Sequence, residues 1–288
     1  MTGADLRAAI AAAAERLSRA GVPSPHHDAE ALAAHVLRID RTDISRHHVI
    51  DQSVYDALVT RRAAREPLQH LTGKAAFRHL EISVGPGVFV PRPETEVTAG
   101  AAIDYAKLID HPVVVDLYAG SGAIALAVAH EVPDAVVHAV EAESDAVGWL
   151  RRNTAGSPVE AHHADVDGCL PELSGQADVV VANPPYIPTG AHIRDPEVAT
   201  HDPAAALWSG PDGLDAMRVL ERNAARLLRP GGLLVAEHAD LQGDAACAVF
   251  VAAAHWFDVT DNADLTGRPR FLTARRAHEP GRKLHFRP

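Results

Sequence analysis

Apolar residues recur at helical spacing through the first quarter of the chain. In the first such segment, four apolar positions share one helical face: Leu6, Ile10, Ala13 and Leu17. Two further segments, SPHHDAEALAAHVLRI and DQSVYDALVTRRAAREP, also have helical patterns, and the second of them stops before Pro67. Because these residues show no strand pattern, the sequence predicts a small all-helical domain over residues 1–75.

The pattern changes twice in the remainder of the chain. LEISVGPGVFVPR alternates around a turn signal at Gly85–Gly87, which predicts a β-hairpin linker over residues 76–98. From residue 112 onward, short apolar runs alternate with helical patterns, as in a parallel, doubly wound sheet. The predicted strands are Val113–Leu117, Val136–Ala142, Val159–Ala164, Ala177–Ala182 and Leu233–Glu237.

Two last segments, WFDVTDNAD and RPRFLTARR, complete the predicted sheet by pairing antiparallel at its edge. The predicted fold class is therefore α/β. A doubly wound, mostly parallel, seven-stranded sheet over residues 99–277 follows the helical domain and the hairpin linker. We expect residues 278–288 to form a flexible tail.

Composition and charge narrow the classes of protein that fit this pattern. The 288 residues are 47% apolar, as is ordinary for a soluble globular protein. No segment approaches the about 20 apolar residues of a membrane span, and the N-terminus lacks a signal-peptide pattern. The formal charge of −11 weighs against a broad nucleic-acid surface. Cys169 and Cys247 fit no C-x-x-C spacing, which indicates reduced thiols in a cytoplasmic protein. For the oligomeric state, we take a monomer as the default expectation.

The eighteen histidines include adjacent pairs: His26–His27, His47–His48 and His162–His163. Adjacent residues share neither a helix face nor a strand face, so these spacings are poor for metal ligands. We therefore expect solvated surface histidines and no metal site.

A glycine-rich loop follows the first strand of the predicted sheet, in VVVDLYAGSGAIALAVA. Gly120 and Gly122 permit a positive φ and a close approach of a ligand to the backbone. With Ala125 they fit the G-x-G-x-x-A dinucleotide pattern, a weak signal because Ala125 also suits helix–strand packing. Glu141 ends the second strand, where a carboxylate can accept hydrogen bonds from both ribose hydroxyl groups. The pattern predicts a nucleoside-containing ligand.

Two such ligands remain, a dinucleotide and S-adenosylmethionine. Asp116 lies at the entrance of the loop, where an acid suits the ammonium and sulfonium groups better than a pyrophosphate; it could instead cap the loop backbone. Asp165, at the end of the third strand, could accept from an adenine amino group or cap a turn. Val166 beside it could lie against the ring. We therefore favour S-adenosylmethionine as the cofactor.

The fourth predicted strand runs directly into Asn183, Pro184 and Tyr186. Ligands of open α/β sheets bind at the carboxyl ends of the strands, so this segment is expected to share one crevice with the glycine loop. The side-chain oxygen of Asn183 and the carbonyl of Pro184 could fix a planar NH2 group and stabilise charge on its nitrogen. Tyr186 could pack against the flat group. The alternative is a proline-rich turn that only shapes the chain.

Several stretches together resemble the protein-(glutamine-N5) methyltransferases of peptide chain release factors, a class I methyltransferase family. They are PLQHLTGKAAFRHLEISVGPGVFVPRPETE, DLYAGSGAIALAVA, VVANPPYIP, GPDGLDAMRVL, LLRPGGLLVAEHADLQ and DLTGRPRFLTARR. The resemblance covers most of residues 25–276, and Pro67–Glu96 is its most specific part. The chain departs from it at Tyr118–Ala119, where Gly-Thr is usual, and at His70–Leu71, where Tyr-Ile is usual. A third departure is Val166, where some members have an aromatic residue.

The resemblance implies methyl transfer from S-adenosylmethionine to the glutamine of the release factor's Gly-Gly-Gln motif, with the helical domain docking the factor. The donor is implied to contact Tyr118, Ala119, Gly120, Ser121, Gly122, Glu141, Val166 and Asn183. The acceptor glutamine is implied to contact Asn183, Pro184, Pro185 and Tyr186. Polar residues of PRPETE could line the cleft, but we interpret Thr95 and its neighbours as the first turn of a helix.

Other functions share parts of these motifs. A sister enzyme methylates a glutamine of a large-subunit ribosomal protein, but PRPETE resembles the release-factor branch better. Adenine-N6 DNA methyltransferases share the NPPY motif, and the charge of −11 weighs against them. A dehydrogenase or a non-catalytic binder would also keep a glycine loop, although the intact Asn183–Tyr186 stretch argues against the binder.

Overall fold

The computed structural model describes residues 3–278, which form two compact units. The first unit holds the residues up to Lys74, together with Val84–Pro86 and Ile193–Asp202. The second unit holds Ala75–Ser83, Gly87–His192 and the residues from Pro203 onward. The tail predicted for residues 278–288 lies, from position 279 on, outside the described residues.

Helices build most of the first unit: α1 (Leu6–Arg19), α2 (Pro25–Leu37), α3 (Gln52–Ala63) and α4 (Leu68–Thr72). Their facing apolar residues form one core, in which Leu17, Leu32 and Tyr55 are fully buried. The hydroxyl group of Tyr55 donates to the carbonyl of Ala29 at 2.8 Å, so its burial leaves no unpaired donor. The predicted helical character of this region is confirmed.

The prediction that this region contains no strand is wrong for two short segments. β1 (Gly3–Asp5) pairs antiparallel with β2 (Val49–Asp51). Three residues are too few for an alternating pattern to show in the sequence. Each strand also ends on an aspartate whose side chain accepts from a first-turn N–H of the next helix. The local sequence signal is therefore that of a helix start.

One segment of the first unit comes from a distant part of the chain. Ile193–Asp202 carries a short helix that is α8 in chain order (Pro196–His201). Its Glu197 accepts from the guanidinium of Arg62 at 2.8 Å. Arg62 is 3% exposed and also donates to Asp28 at 2.7 Å, so the buried cation is paired with two carboxylates. Such a pairing across 135 residues leaves no local signal in the sequence.

A β-hairpin stands at the start of the second unit, formed by β3 (Lys74–Phe77) and β4 (Leu80–Ser83). Its turn falls at Arg78–His79. The chain does turn at Pro86–Gly87, within the predicted turn, but no strand follows there, so the prediction that this turn closes the hairpin is wrong. The apolar residues after that predicted turn, Val88 and Val90, are fully buried in a loop without strand pairing. Their alternation thus reflects burial rather than a second strand.

Seven strands form the sheet of the second unit, in the order β10-β11-β9-β8-β5-β6-β7. They are β5 (Val113–Leu117), β6 (Val136–Glu141), β7 (Glu160–His163), β8 (Ala177–Ala182), β9 (Leu228–Glu237), β10 (Trp256–Ala263) and β11 (Pro269–Arg276). Strands β5 to β9 pair in parallel, whereas β11 is antiparallel to both β9 and β10. The predicted mostly parallel, seven-stranded sheet with an antiparallel edge is confirmed. β9 begins at Leu228, earlier than the predicted start at Leu233. The prediction started the strand too late because Pro230 and two glycines interrupt its apolar pattern.

The helices of this unit are α5 (Thr95–Ala106), α6 (Ala123–Glu131), α7 (Ser144–Thr154), α9 (Asp215–Leu227) and α10 (Gly243–Ala252). Every residue of β8 is buried, which is typical of a parallel strand covered on both faces. Every helix among the described residues is too short or too polar to cross a membrane.

Candidate active site

The loop between β5 and α6 has a backbone that its glycines permit. Gly120 and Gly122 have φ angles of 55° and 83°, in the left-handed region. A Cβ atom at Gly122 would lie 2.7 Å from Cδ1 of the buried Leu150, so this position is needed for close packing. A Cβ atom at Gly120 would meet no atom of the described residues within 4 Å. One glycine thus packs against the protein, and the other faces open space.

Tyr118, at a position where glycine is usual in the family that the sequence resembles, also has a left-handed backbone, with φ of 62°. This conformation costs a residue with a side chain about 1–2 kcal/mol. The ring packs against the apolar core of the sheet, and the hydroxyl group donates to the carbonyl of Ala216 at 3.4 Å. Burial raises the pKa of Tyr118, so the phenol stays neutral. The adjacent Ala119 donates its N–H to the carbonyl of Val140 at 3.0 Å.

Asp116 is fully buried beneath the loop. Its Oδ2 accepts from the N–H of Ala125 at 3.0 Å, so the capping alternative holds for this oxygen. Its Oδ1 has no hydrogen-bond partner among the residues that the structure describes. Burial raises the pKa of Asp116 to about 8, against the lowering effect of the bond from Ala125. A cationic group bound nearby would stabilise this buried carboxyl group in its charged form.

Glu141, at the end of β6, is 9% exposed and holds the loop from the side. Its Oε2 accepts from the N–H of Gly120 at 2.8 Å. Its Oε1 accepts from the N–H groups of Ala142 and Glu143, each at 2.8 Å. These bonds use three of about four lone-pair positions of a carboxylate. Two ribose hydroxyl groups bound here would therefore share the carboxylate with, or replace, the N–H of Gly120.

Asn153 on α7 supports the same loop, and the sequence analysis missed it. Its Nδ2 donates to the carbonyl groups of Ser121 and Ser83, both at 2.9 Å, and its Oδ1 accepts from the N–H of Ser83 at 3.0 Å. One amide thus ties the glycine loop to the end of β4. Ser121 itself is 3% exposed and is packed inside the loop. The partners lie 32 and 70 residues from Asn153, so no local pattern marks it.

The two residues predicted to lie near an adenine ring differ in exposure. Asp165 is exposed, and its Oδ1 accepts from the N–H of Asp167 at 2.8 Å, as in the turn-capping alternative. Val166 is 2% exposed and packs within the apolar core of the sheet. The side chain of Val166 therefore faces the core rather than an open surface.

Asn183, directly after β8, is half-buried and oriented by its amide nitrogen. Its Nδ2 donates to Oγ1 of Thr95 at 3.2 Å. Thr95 is 4% exposed, stands at the start of α5, and also hydrogen-bonds to Glu237. The bond to Thr95 fixes the orientation of the amide, and Oδ1, the acceptor atom of this side chain, is left for a ligand.

Glu237, the last residue of β9, is 1% exposed and receives hydrogen bonds from two threonines of α5. One is Thr95, and the other is Thr98, whose Oγ1 donates to Oε2 at 3.3 Å. Burial raises the pKa of Glu237 to about 7, against the lowering effects of the threonine bonds and of Arg270. The sequence analysis interpreted Thr95 as part of a helix turn and did not consider Glu237. Both lie in stretches that carry the family resemblance, PRPETE and LLVAEHADLQ.

The segment Pro184–Ile187, which follows Asn183, is held at its C-terminal end by hydrogen bonds to two other parts of the chain. Pro184 is buried, and Pro185 and Tyr186 are half-buried. The carbonyl of Tyr186 accepts from Nε2 of Gln242 at 3.0 Å. The next residue, Ile187, exchanges backbone hydrogen bonds of 2.8 and 2.9 Å with the segment 207–209. Burial raises the pKa of Tyr186, so its hydroxyl group stays neutral.

The carboxyl ends of β8, β5, β6 and β7 are neighbours in the sheet. This order places Asn183, Asp116, Glu141 and Asp165 at successive strand ends along one edge. The residues fit a cationic nucleoside such as S-adenosylmethionine. Space is open above Gly120, one buried oxygen of Asp116 lacks a partner among the described residues, and Glu141 presents a positioned carboxylate.

Two family models match the chain. Residues 8–73 match the model described as PrmC N-terminal domain, and residues 79–198 match the one described as Methyltransferase small domain. Among solved structures, the Thermus thermophilus 16S rRNA N2 G1207 methyltransferase in complex with AdoMet and guanosine superposes with a TM-score of 0.51. It is 23% identical, and the match covers 70% of this chain and 49% of that one, which shows a common fold.

Sequence relatives are much more similar. A protein of Streptomyces coelicolor is 53% identical over 279 residues, covering 94% of this chain and 98% of the relative. A protein of Mycolicibacterium smegmatis is 49% identical over 279 residues with the same coverage. Both are named release factor glutamine methyltransferase. With this identity over nearly the full length of both relatives, the chain belongs to the family of release factor glutamine methyltransferases.

Proposed function

We propose that this protein transfers the methyl group of S-adenosylmethionine to the side-chain amide nitrogen, N5, of the glutamine in the Gly-Gly-Gln motif of peptide chain release factors. Its family membership supports the reaction and the acceptor class. The observation that carries the site assignment is the hydrogen bond from Nδ2 of Asn183 to Thr95, which leaves the amide oxygen for the substrate.

The acceptor nitrogen sets the chemical problem. The lone pair of an amide nitrogen is delocalised into its carbonyl, with a rotation barrier of about 18–20 kcal/mol, so the nitrogen is a weak nucleophile. The protein must fix both N–H bonds and stabilise the positive charge that develops as the new N–C bond forms. In the proposal, Oδ1 of Asn183 and the carbonyl of Pro184 accept these two N–H bonds. The extra proton leaves after the transfer, so no general base is required before it.

The platform for the flat amide is the segment that follows. Pro185 and Tyr186 would line the acceptor glutamine, with the face of the Tyr186 ring against its amide plane. The hydrogen bond from Gln242 to the Tyr186 carbonyl supports this role, because it limits the movement of the segment at its far end. A rigid segment keeps the two acceptors in place without further ordering during the reaction.

S-adenosylmethionine supplies an electrophilic methyl group when it is bound. In the proposal, Glu141 accepts from the ribose hydroxyl groups, and the open side of Gly120 admits the donor to the loop backbone. Asp116 favours the positive charge of the donor, and Asp165 accepts from the adenine amino group. The remaining predicted donor contacts shape the pocket around these groups: Tyr118, Ala119, Ser121, Gly122, Val166 and Asn183.

The proposal extends to the organisation of the chain. The helical region, residues 1–75, would dock the release factor, and residues 76–98 would link it to the methyltransferase domain, residues 99–277. We propose a monomer in the cytoplasm, without sequence-specific nucleic-acid contacts or membrane contacts. The charge of −11 supports the absence of nucleic-acid contacts, and the two free cysteines support a reducing compartment such as the cytoplasm. Because a sulfonium methyl group is already electrophilic, the transfer itself needs no metal ion.

Mass spectrometry of a release factor, incubated with this protein and S-adenosylmethionine, tests the proposal. We expect a gain of one methyl group on the peptide that contains Gly-Gly-Gln. A release factor with that glutamine replaced by alanine is the control and should gain none.

Donor binding is measured in parallel by calorimetry. Binding of S-adenosylmethionine without methylation of the release factor would overturn the acceptor assignment, and the large-subunit ribosomal protein would be tested next. Absence of donor binding would overturn the cofactor assignment and point to the departures at Tyr118 and Ala119.

A further inference from the structure

Three side chains with metal-ligating atoms meet on the outer strands of the sheet. They are His138 on β6 and Glu160 and His162 on β7. The register of these parallel strands places His138 opposite Glu160, and His162 lies two residues further along β7. Residues two apart on a strand point to the same side, so all three share one face of the sheet.

The sequence analysis missed this cluster because it considered adjacent histidines. His162 and His163 do point to opposite faces, as that argument required. The actual neighbour of His162 is His138, which lies 24 residues away and arrives by strand pairing.

The distances match a metal site. Nδ1 of His138 lies 3.1 Å from Nε2 of His162 and 3.4 Å from Oε2 of Glu160. All three ligand atoms lie within 4.8 Å of one another. A tetrahedral zinc ion with bonds of about 2.0–2.2 Å places its ligand atoms about 3.3–3.6 Å apart. Two of the three spacings are therefore close to those of a zinc site, and the third is no longer than 4.8 Å.

We propose that His138, Glu160 and His162 bind one divalent transition-metal ion of the zinc class. Two imidazoles and one carboxylate are ligands that zinc accepts readily, and calcium or magnesium would require more oxygen ligands. The side chain of Glu160 is 62% exposed, whereas that of His138 is 9% exposed. The ion thus sits on a buried histidine and is open to solvent at the carboxylate, where water completes its coordination.

The position of the ion indicates what it does. β7 has four residues and, among the strands of the described residues, pairs with β6 alone, so it lies at the edge of the sheet. An ion bound by both strands would hold them in register. Glu141 ends β6 and Asp165 follows β7, so the register of these strands sets the spacing of two proposed donor contacts. The site is therefore structural, and its effects are on stability and donor affinity.

Metal titration of the full-length protein tests this inference. Protein treated with a chelator and then freed of it is titrated with Co2+, whose tetrahedral complexes absorb strongly in the visible range, and separately with Zn2+ by calorimetry. We expect one tight equivalent. At Zn2+ about 100-fold above its Kd, the Tm should rise by roughly 5 °C or more.

Substitutions locate the site among the eighteen histidines. His162→Asn and Glu160→Gln should lose the tight equivalent and the rise in Tm. His163→Asn, an exposed histidine on the opposite face of the same strand, is the matched control and should keep both. Circular dichroism of each variant shows whether the fold is intact. Tight binding that survives His162→Asn, or absence of a tight equivalent in the wild-type protein, would overturn the proposal.

Discussion

The two loops of the candidate site are held in different ways. The glycine loop after β5 takes its shape from left-handed glycines and from three hydrogen bonds to nearby parts of the chain. These bonds join Ala125 to Asp116, Gly120 to Glu141 and Ser121 to Asn153, which are 9, 21 and 32 residues apart. The segment Asn183–Tyr186 after β8 is stiffened by two prolines and fixed by Thr95, 88 residues distant, and by Gln242, 56 residues distant. The glycine loop, the proposed donor site (hereafter the donor loop), is thus encoded mostly by its own region. The segment Asn183–Tyr186, the proposed acceptor site (hereafter the acceptor segment), is held by the assembled sheet.

The difference has a consequence for function. A loop with local supports keeps its shape when distant parts of the sheet shift, which suits a cofactor that is bound in every reaction cycle. The acceptor segment depends on α5 and on the loop before α10. We therefore expect changes at its supports to reduce the rate of transfer while leaving the donor affinity nearly intact.

The largest expected effect is that of Asn183→Ala. Loss of a preorganised hydrogen-bonding group at developing charge typically lowers kcat by about 100- to 1000-fold. We expect that loss in methyl transfer to a release factor, with a Kd for S-adenosylmethionine within a few-fold of the wild-type value. Single-turnover rates and calorimetry measure the two quantities.

Asn183→Asp is the informative comparison, because it keeps an acceptor oxygen and removes the N–H donor to Thr95. We expect it to retain more activity than the alanine variant. Full activity of Asn183→Ala would show that the segment is a turn without a catalytic role.

The second prediction concerns the buried carboxyl group under the acceptor segment. The pKa of Glu237 is raised from 4.5 to about 7, so the folded protein retains a proton that the unfolded chain has lost. The stability that this group contributes is present below pH 4.5 and is lost as the pH rises to about 7. Glu237→Gln removes this contribution. Between pH 4.5 and 7, the wild-type protein should lose roughly 3 kcal/mol of unfolding free energy relative to the variant.

Urea unfolding at several pH values measures that difference. Asp116 provides the matching test on the donor side, because its pKa is raised from 3.8 to about 8. The loss of stability attributable to Asp116 should therefore continue to about pH 8, beyond the pH near 7 at which that of Glu237 levels off. Parallel pH profiles for the wild-type protein and Glu237→Gln would contradict the assignment of this titration to Glu237.

The same contrast explains what the sequence could predict. Gly120, Gly122 and Glu141 stand in a contiguous pattern whose chemistry is visible without a fold, and the strands of the sheet have strong apolar runs. Thr95 and Glu237 have no such pattern, because their role follows from the packing of α5 against the end of β9. The metal-ligand cluster at His138 was missed for the same reason, since strand register brings its members together.

Errors in the predicted fold have similar physical causes. The hairpin was expected to turn at Gly85–Gly87, where two glycines flank a proline, but the hairpin turns at Arg78–His79. Arg78 takes a left-handed backbone with φ of 50°, which is uncommon for arginine, so the residue type does not predict a turn here. β1 and β2 were missed because three residues cannot show an alternating pattern. Val166, predicted to lie beside a ligand ring, packs into the apolar core of the sheet, and its contact with the donor stays a prediction.

The third prediction separates packing from binding within the glycine loop. Alanine at either glycine costs about 1–2 kcal/mol because of the left-handed backbone. Gly122→Ala also places a methyl group against the buried Leu150, so it should lower the Tm more than Gly120→Ala does. Gly120→Ala should instead raise the Kd for S-adenosylmethionine by at least about 10-fold, because its methyl group occupies the open space that the donor would fill.

Thermal unfolding and calorimetry on both variants test this pair. An equal loss of donor affinity with equal Tm values would show that the two glycines act only through the backbone. The space above Gly120 would then not be part of the donor site.

The smallest expected effect is at Thr95, and it tests the acceptor segment most specifically. Thr95→Val keeps the shape of the side chain and removes the hydroxyl group that accepts from Asn183. Because one neutral hydrogen bond typically contributes about 0.5–1.5 kcal/mol, we expect kcat to fall roughly 3- to 10-fold without a change in donor Kd.

Thr98→Val is the matched control. Thr98 donates to the same carboxyl group of Glu237, whereas the hydrogen bond of the Asn183 side chain within the described residues goes to Thr95. Both variants remove one hydroxyl group from Glu237, so both should lower stability by a similar amount. If kcat falls in Thr95→Val and not in Thr98→Val, the effect passes through the orientation of Asn183. Equal losses in the two variants would mean that the threonines act through the stability of the buried carboxyl group, and the acceptor segment would then be held by its prolines and Gln242 alone.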